Sequence, residues 1–188
     1  MALSWTDDAH KERMVRGWRG GLADGTPCGS GSTLANAKSV AARLPEFVGR
    51  YGILSVCDAG AGDLHWIKAV AWQVRYRAFD LYPRVAGVAA LDITKEPMPP
   101  CDAILCRHVL IHLDPPRIER TLELFRQSGR YLLASQYDNC HAFDTVSRRV
   151  RTFDPQYDYN PTDLRPLLGE PLERIPDTGS DLALWRLA

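Results

Sequence analysis

The sequence predicts an α/β protein: a mostly parallel, doubly wound sheet of about seven strands with helices on both faces. Three observations carry this. Short apolar runs rich in β-formers recur at residues 53–60, 74–82, 85–93, 103–106 and 130–137. Segments with helical spacing of apolar residues interleave with several of them. The runs are apolar on both sides, as strands of a sheet covered on both faces must be.

Each element has a local reason. Residues 7–18 read as a short helix with Met14 and Trp18 on one face. Residues 20–32, GGLADGTPCGSGS, have the composition of a loop. Leu34, Ala37, Val40, Ala41 and Leu44 recur at helical spacing; Thr33 or Ser32 caps that helix and Pro45 ends or bends it. After the strand at 53–60 comes a glycine turn, and DLHWIKAVA (63–71) reads as a helix. The next strand ends at Asp80, and a third short strand lies within 85–93. Following the fourth strand, DPPRIERTLELFRQS is a helix with Asp114 as N-cap and proline in its first turn. Residues 138–169 read as irregular with one short helix. PLERIPD and DLALWRLA read as two closing strands joined by the turn DTGSD.

Composition bounds the function. The chain has 188 residues, 45% hydrophobic and 24% charged, with 23 Lys+Arg against 23 Asp+Glu. Zero net charge argues against bulk nucleic-acid binding, which needs a basic surplus. No apolar stretch approaches the ~20 residues that span a bilayer, so no membrane partner is expected. The N-terminus lacks the layout of a secretory signal. The five cysteines are irregularly spaced, without C-x-x-C, and read as reduced thiols of a cytoplasmic protein. Cys57 and Cys106 read as buried small hydrophobes.

The most informative segment is VCDAGAGDLHW. Asp58 ends a strand, and Gly60 and Gly62 make a tight turn, which lets a backbone approach a ligand. In open α/β sheets, ligands bind at the carboxyl ends of the strands. Asp80, ending the next strand, is placed to accept hydrogen bonds from both ribose hydroxyls of an adenosine. Asp92 follows another apolar run and is placed to accept from an adenine amino group, with Ile93 against the ring. The dinucleotide pattern G-x-G-x-x-G/A fails, because His65 occupies its third small position. No G-x-x-x-x-G-K-[ST] loop is present either. What remains is an adenosine cofactor with no phosphates to hold.

VCDAGAG, RAFDLY, AALDI and DAILCRHVLIHL together resemble the successive motifs of class I S-adenosylmethionine-dependent methyltransferases, whose fold is Rossmann-like. The resemblance runs from about residue 29 to the C-terminus. GSGSTLANAKSVAARLP and the tail LALWRL are like those of a small bacterial and phage subgroup. The resemblance implies S-adenosylmethionine as cofactor. It places Asp58, Ala59, Gly60 and Gly62 around its methionine part, Asp80 on its ribose, Leu81, Asp92 and Ile93 at its adenine, and Cys106, Arg107 and His108 beside the sulfonium and the acceptor. The family's first motif usually carries a third glycine, where this chain has Leu64.

Methyl transfer from such a cofactor needs alignment of acceptor, methyl and sulfur, and a base only if the acceptor is protonated. His108 and His112 are candidate bases, four apart and on one face if the stretch is helical. Arg107 either anchors an acidic substrate group or pairs with Asp102 or Asp114. No metal is expected: H-x-x-x-H without a glutamate is a weak zinc pattern. Residues 1–32 read as an N-terminal helix and a loop covering the cofactor, with Ser30 and Ser32 offering donors; residues 33–188 read as the methyltransferase-like domain. Tyr137 and Asp138, with His112 and Trp18, are expected substrate contacts. The expected partner is a small-molecule or nucleotide-type acceptor, and a homodimer is possible. The competing expectation is a catalytically silent binding module on the same fold.

Overall fold

The computed structural model of the chain describes residues 24–138, 143–144, 149–150 and 161–187. The helix expected at 7–18, and Trp18 with it, lies outside the described residues.

Helix α1 (Leu34–Arg50) begins at Thr33, whose hydroxyl accepts from the Asn36 amide at 3.3 Å. Asp24 adds a second cap, accepting from the Leu34 amide at 2.6 Å. Two otherwise orphaned N–H groups are thereby satisfied. The helix buries Ala37, Val40, Leu44, Phe47 and Val48, a stripe at helical spacing. Pro45 lies inside the helix, so of the two expectations, ending or bending it, it does not end it. Proline removes one helical hydrogen bond, but continuing to Arg50 puts Phe47 and Val48 into the core, and Arg50 pairs with Glu46 and Glu173.

Strands β1 (Ser55–Ala59), β2 (Arg75–Asp80), β3 (Val88–Ala90) and β4 (Cys101–Cys106) follow. Helix α2 (Pro115–Arg126) is capped by Asp114, which accepts from the Arg117 amide at 3.1 Å. Then come β5 (Gly129–Gln136), a two-stranded ribbon of β6 (Phe143–Asp144) and β7 (Arg149–Val150), the one-turn helix α3 (Arg165–Leu168), and the hairpin β8 (Glu173–Asp177) and β9 (Ser180–Arg186). The main sheet has seven strands in the order β3-β2-β1-β4-β5-β9-β8. Its first five strands are parallel, and β9 and β8 run antiparallel.

The strand alternation sorts residues to two faces. Val56, Leu105, Leu133 and Leu184 pack toward α1. Cys57, Ile104, Leu132 and Trp185 pack toward α2. The chain order reverses between β1 and β4, so the crevice above their carboxyl ends is the topological place for a ligand.

The helix expected over 63–71 is reduced to one 3-10 turn, Ile67–Ala69. Gly62 (φ 60°) and Leu64 (φ 62°) are both left-handed, and two such residues stop a right-handed helix from propagating through the segment. Trp66, Ile67 and Val70 still reach the core on the α1 side.

Candidate active site

A cavity of about 430 Å³ opens at the carboxyl ends of β1, β2 and β4. That is within the ~300–1,000 Å³ range of small-ligand pockets. Its walls come from the β1–β2 turn, the end of β2, the segment after β3, the end of β4, and the loop before α1.

The β1–β2 turn is braced by β2. The amides of Gly60 and Ala61 both donate to the Phe79 carbonyl, at 2.8 and 3.0 Å. The Gly62 amide donates to Asp80 Oδ2 at 2.9 Å, and the Tyr82 amide to Oδ1 at 2.9 Å. Asp80 therefore ties the turn to the strand end, with one bond spent on each oxygen and its side chain in the cavity wall. Each carboxylate oxygen retains further acceptor capacity. The two glycines are required by protein neighbours as well as by φ. A Cβ on Gly60 (φ 93°) would collide with Val109, and one on Gly62 with the Cys28 thiol. Burial and the nearby Asp63 carboxylate push that thiol up to about 11. The family's usual third glycine position is the left-handed Leu64, so the backbone keeps the glycine-type conformation there.

Asp58 is set back from this wall. Its carboxylate is buried and accepts from the Tyr76 hydroxyl at 2.6 Å. Burial raises it to about 7; the Tyr76 hydrogen bond offsets part of this and the Asp80 charge adds to it. Ala59 and Cys106 are buried too, and burial pushes the Cys106 thiol up. Asp58, Ala59 and Cys106 thus support the cavity from behind, because the alternation of β1 and β4 turns them into the two cores.

After β3, Asp92 Oδ1 accepts from the Thr94 amide at 3.0 Å and hydroxyl at 2.6 Å, and Oδ2 pairs with Lys95 at 2.9 Å. Leu81, Ile93 and Leu113 give that end apolar surface.

At the other end, remote segments meet. Arg107 is sealed, with its side chain 3% exposed. Its Nε and Nη2 donate to Asp177 at 2.7 and 2.8 Å, its Nη1 donates to the Gly31 carbonyl at 2.7 Å, and the guanidinium lies 4.8 Å from the Trp66 ring centroid. This corrects the expected partners. Asp102 instead accepts from Leu54 and Ser55, and Asp114 caps α2. With these three bonds the arginine holds the loop and the hairpin together.

His108 has φ 55°, a conformation rare for a side-chain-bearing residue. Its amide donates to the Ser135 hydroxyl at 2.9 Å, which fixes the backbone. Its ring Nε2 lies 3.3 Å from the Ser180 hydroxyl and 3.4 Å from Asp177 Oδ2. Burial pushes the Asp177 carboxyl up, but hydrogen bonds with His108 and Arg107 and the guanidinium charge reverse this and hold it at about 2.

The structure brings Ser30, Ser32, Gly60, Gly62, Asp80, Leu81, Asp92, Ile93, Arg107, His108 and His112 to one cavity. His108 and His112 are not related by a helix: one is left-handed and the other ends a 3-10 turn, yet both line the cavity. Ser32 donates its hydroxyl to the Cys28 carbonyl at 3.3 Å, a bond within the loop itself. Tyr137 is buried with its ring 6.4 Å from that of His108. Asp138 is bound to Arg174 at 2.5 Å and Arg165 at 3.4 Å, so its charge ties the returning chain to β5. Sequence reasoning missed Tyr76, Ser135, Asp177 and Ser180, whose partners lie far along the chain. The turn DTGSD was the one available signal for the last two.

No protein-family model matches the sequence, and no curated protein does. Solved structures do match. PhzM, a pyocyanin biosynthetic protein, is similar at a TM-score of 0.59 and 14% identity, over 81% of this chain and 55% of that one. Magnesium protoporphyrin IX methyltransferase (ChlM) from Synechocystis PCC 6803, with bound SAH, is similar at 0.59 and 13% identity, over 96% and 94%. The N-terminal domain of EvdMO1, with SAH bound, is similar at 0.54 and 14% identity, over 85% and 86%. The chain spans about half the length of PhzM and of the mitomycin 7-O-methyltransferase MmcR, 55% and 53%. The fold is that of the class I S-adenosylmethionine-dependent methyltransferases.

Proposed function

We propose that the chain is an S-adenosylmethionine-dependent methyltransferase acting on a small-molecule acceptor. One observation carries the reading. Asp80 stands in the cavity wall at the end of β2, oriented by two backbone amides, beside the Gly60–Gly62 turn, with a second carboxylate, Asp92, and apolar Leu81 and Ile93 lining the same cavity. That donor set suits a nucleoside: a carboxylate for a diol, a carboxylate for an exocyclic amine, and apolar surface for a flat base. Two structural neighbours carry SAH in equivalent folds.

When bound, S-adenosylmethionine supplies a methyl group on a sulfonium, already activated for transfer. The chain's residues do the rest. Asp80 holds the sugar, Asp92 with Leu81 and Ile93 holds the base, and the loop at Ser30–Ser32 roofs the site. Asp58, set behind the wall, is held by the Tyr76 hydroxyl. His108 stands at the acceptor end with His112, and Tyr137 packs beside the His108 ring. No helix among the described residues is long and apolar enough to cross a membrane. A cytoplasmic location and a homodimer remain part of the proposal.

Calorimetry tests it directly. S-adenosylmethionine and S-adenosylhomocysteine should bind with a Kd on the order of micromolar, and NAD should not. Binding of NAD in their place overturns the reading. Binding with no turnover across a broad acceptor panel favours the silent module.

A further inference from the structure

The C-terminal hairpin reaches His108, a residue of the cavity wall, with a group the proposed function has not used. The turn between β8 and β9 carries Asp177 and Ser180 to the ring of His108, 69 and 72 residues away in sequence by their numbering. Both meet the same ring atom, Nε2. Asp177 is fully buried and held at about 2, so its oxygens only accept. An acceptor-only oxygen beside Nε2 favours the proton on Nε2, which leaves the lone pair on Nδ1. Nδ1 faces the Gly29–Ser32 loop at the cavity. A Cβ on Gly31 would collide with it, so the absence of a side chain there is what leaves this atom room.

Resting on the methyltransferase reading, we infer that Asp177 is a positioning residue that holds His108 as its Nε2–H tautomer, leaving Nδ1 as the atom that takes a proton from an O–H or N–H acceptor. The proton balance is complete within these groups. As the acceptor's heteroatom is methylated, its proton passes to Nδ1, and the resulting imidazolium is stabilised by Asp177 through Nε2–H until the proton leaves to solvent. Ser180, placed beside the same Nε2–H, adds a second oxygen. Arg107 grips the Asp177 carboxylate from the other side and keeps it aimed. An acceptor lacking a proton, such as a thioether or tertiary amine, would gain nothing from this arrangement.

Imidazole nitrogen NMR on the full chain, labelled in histidine nitrogen, reads the tautomer without turnover. Signals of His108 are assigned by their loss in His108→Gln. The expected result is an unprotonated Nδ1 and a protonated Nε2, with and without S-adenosylhomocysteine. In Asp177→Asn the amide can present either an oxygen or an NH2 to Nε2, so the two tautomers should mix. In Gly31→Ala the displaced ring should lose the preference too. A wild-type His108 protonated at Nδ1 overturns the inference, as does a tautomer unmoved in a folded Asp177→Asn. If that variant does not fold, the wild-type and Gly31→Ala spectra still decide. Absence of S-adenosylhomocysteine binding by calorimetry counts against the methyltransferase reading alone, since the tautomer is measured independently of it.

Discussion

The two ends of the cavity hold buried carboxylates in opposite ways. At the β1 end, Asp58 is sealed with a phenol as its hydrogen-bond partner and is raised to about 7. At the β8 end, Asp177 is sealed just as completely, yet it stands at about 2. The difference is the counter-charge: Asp177 receives two guanidinium bonds, and the same arginine reaches Asp58 only as a distant charge. Burial alone raises a carboxyl, and a directly bonded cation overturns it. The ends therefore respond to pH in opposite senses. A carboxyl raised in the folded state binds its proton more tightly there than in the unfolded chain. Asp58 thus costs stability as pH rises from about 4 to about 7. Asp177 is depressed, so its contribution is present above about pH 4 and is lost as pH falls toward about 2.

The comparison can be broken at four places. The largest effect is expected from Arg107→Met, which leaves Asp177 buried without its cation. Loss of one partner of a buried pair costs about 3–5 kcal/mol, to be measured by denaturant unfolding. The double variant Arg107→Met/Asp177→Leu should regain most of that, since no charge is then orphaned. A double variant as unstable as the single would show that the pair is not the source of the loss.

Next is Asp80→Ala. Charge-assisted hydrogen bonds are worth roughly 1.5–3 kcal/mol, so S-adenosylhomocysteine affinity should fall about 100-fold, read by calorimetry. Unchanged affinity would remove Asp80 from the sugar contact. A smaller effect is expected from Asp58→Asn. It should raise stability by about 1–2 kcal/mol at pH 8 and by little at pH 5, where Asp58 is already largely protonated. An equal change at both pH values would contradict the raised carboxyl. Smallest is Leu64→Gly. It relieves roughly 1 kcal/mol of left-handed strain while losing partial packing, so the melting temperature should barely move. Leu64→Val, β-branched in the same conformation, should lower it clearly.

The Gly60–Asp80 part of the cavity was legible in the sequence because its parts are local. Asp80 follows Gly62 by 18 residues and one strand, and the strand-turn-strand texture places both at the same sheet edge. The sheet itself was readable from two-sided apolar runs, and the closing hairpin from its turn residues. The helix after β1 was misread because the residue pattern of DLHWIKAVA says nothing of φ, and the left-handed Leu64 forbids it. The His108 end of the cavity was hidden for a different reason. It joins Gly31, Arg107, His108, Ser135 and Asp177 across up to 146 residues by their numbering. No spacing rule links them until β9 is known to pair with β5 and bring the hairpin turn beside the end of β4. Likewise Tyr76 meets Asp58 only through the parallel register of β1 and β2.

The most direct test is a crystal structure of the full chain soaked with S-adenosylhomocysteine. The account predicts the nucleoside in the cavity, with both sugar hydroxyls on the Asp80 carboxylate and the base between Leu81 and Ile93. Density for the compound elsewhere, or in the cavity with Asp80 still bonded only to Gly62 and Tyr82, would contradict it.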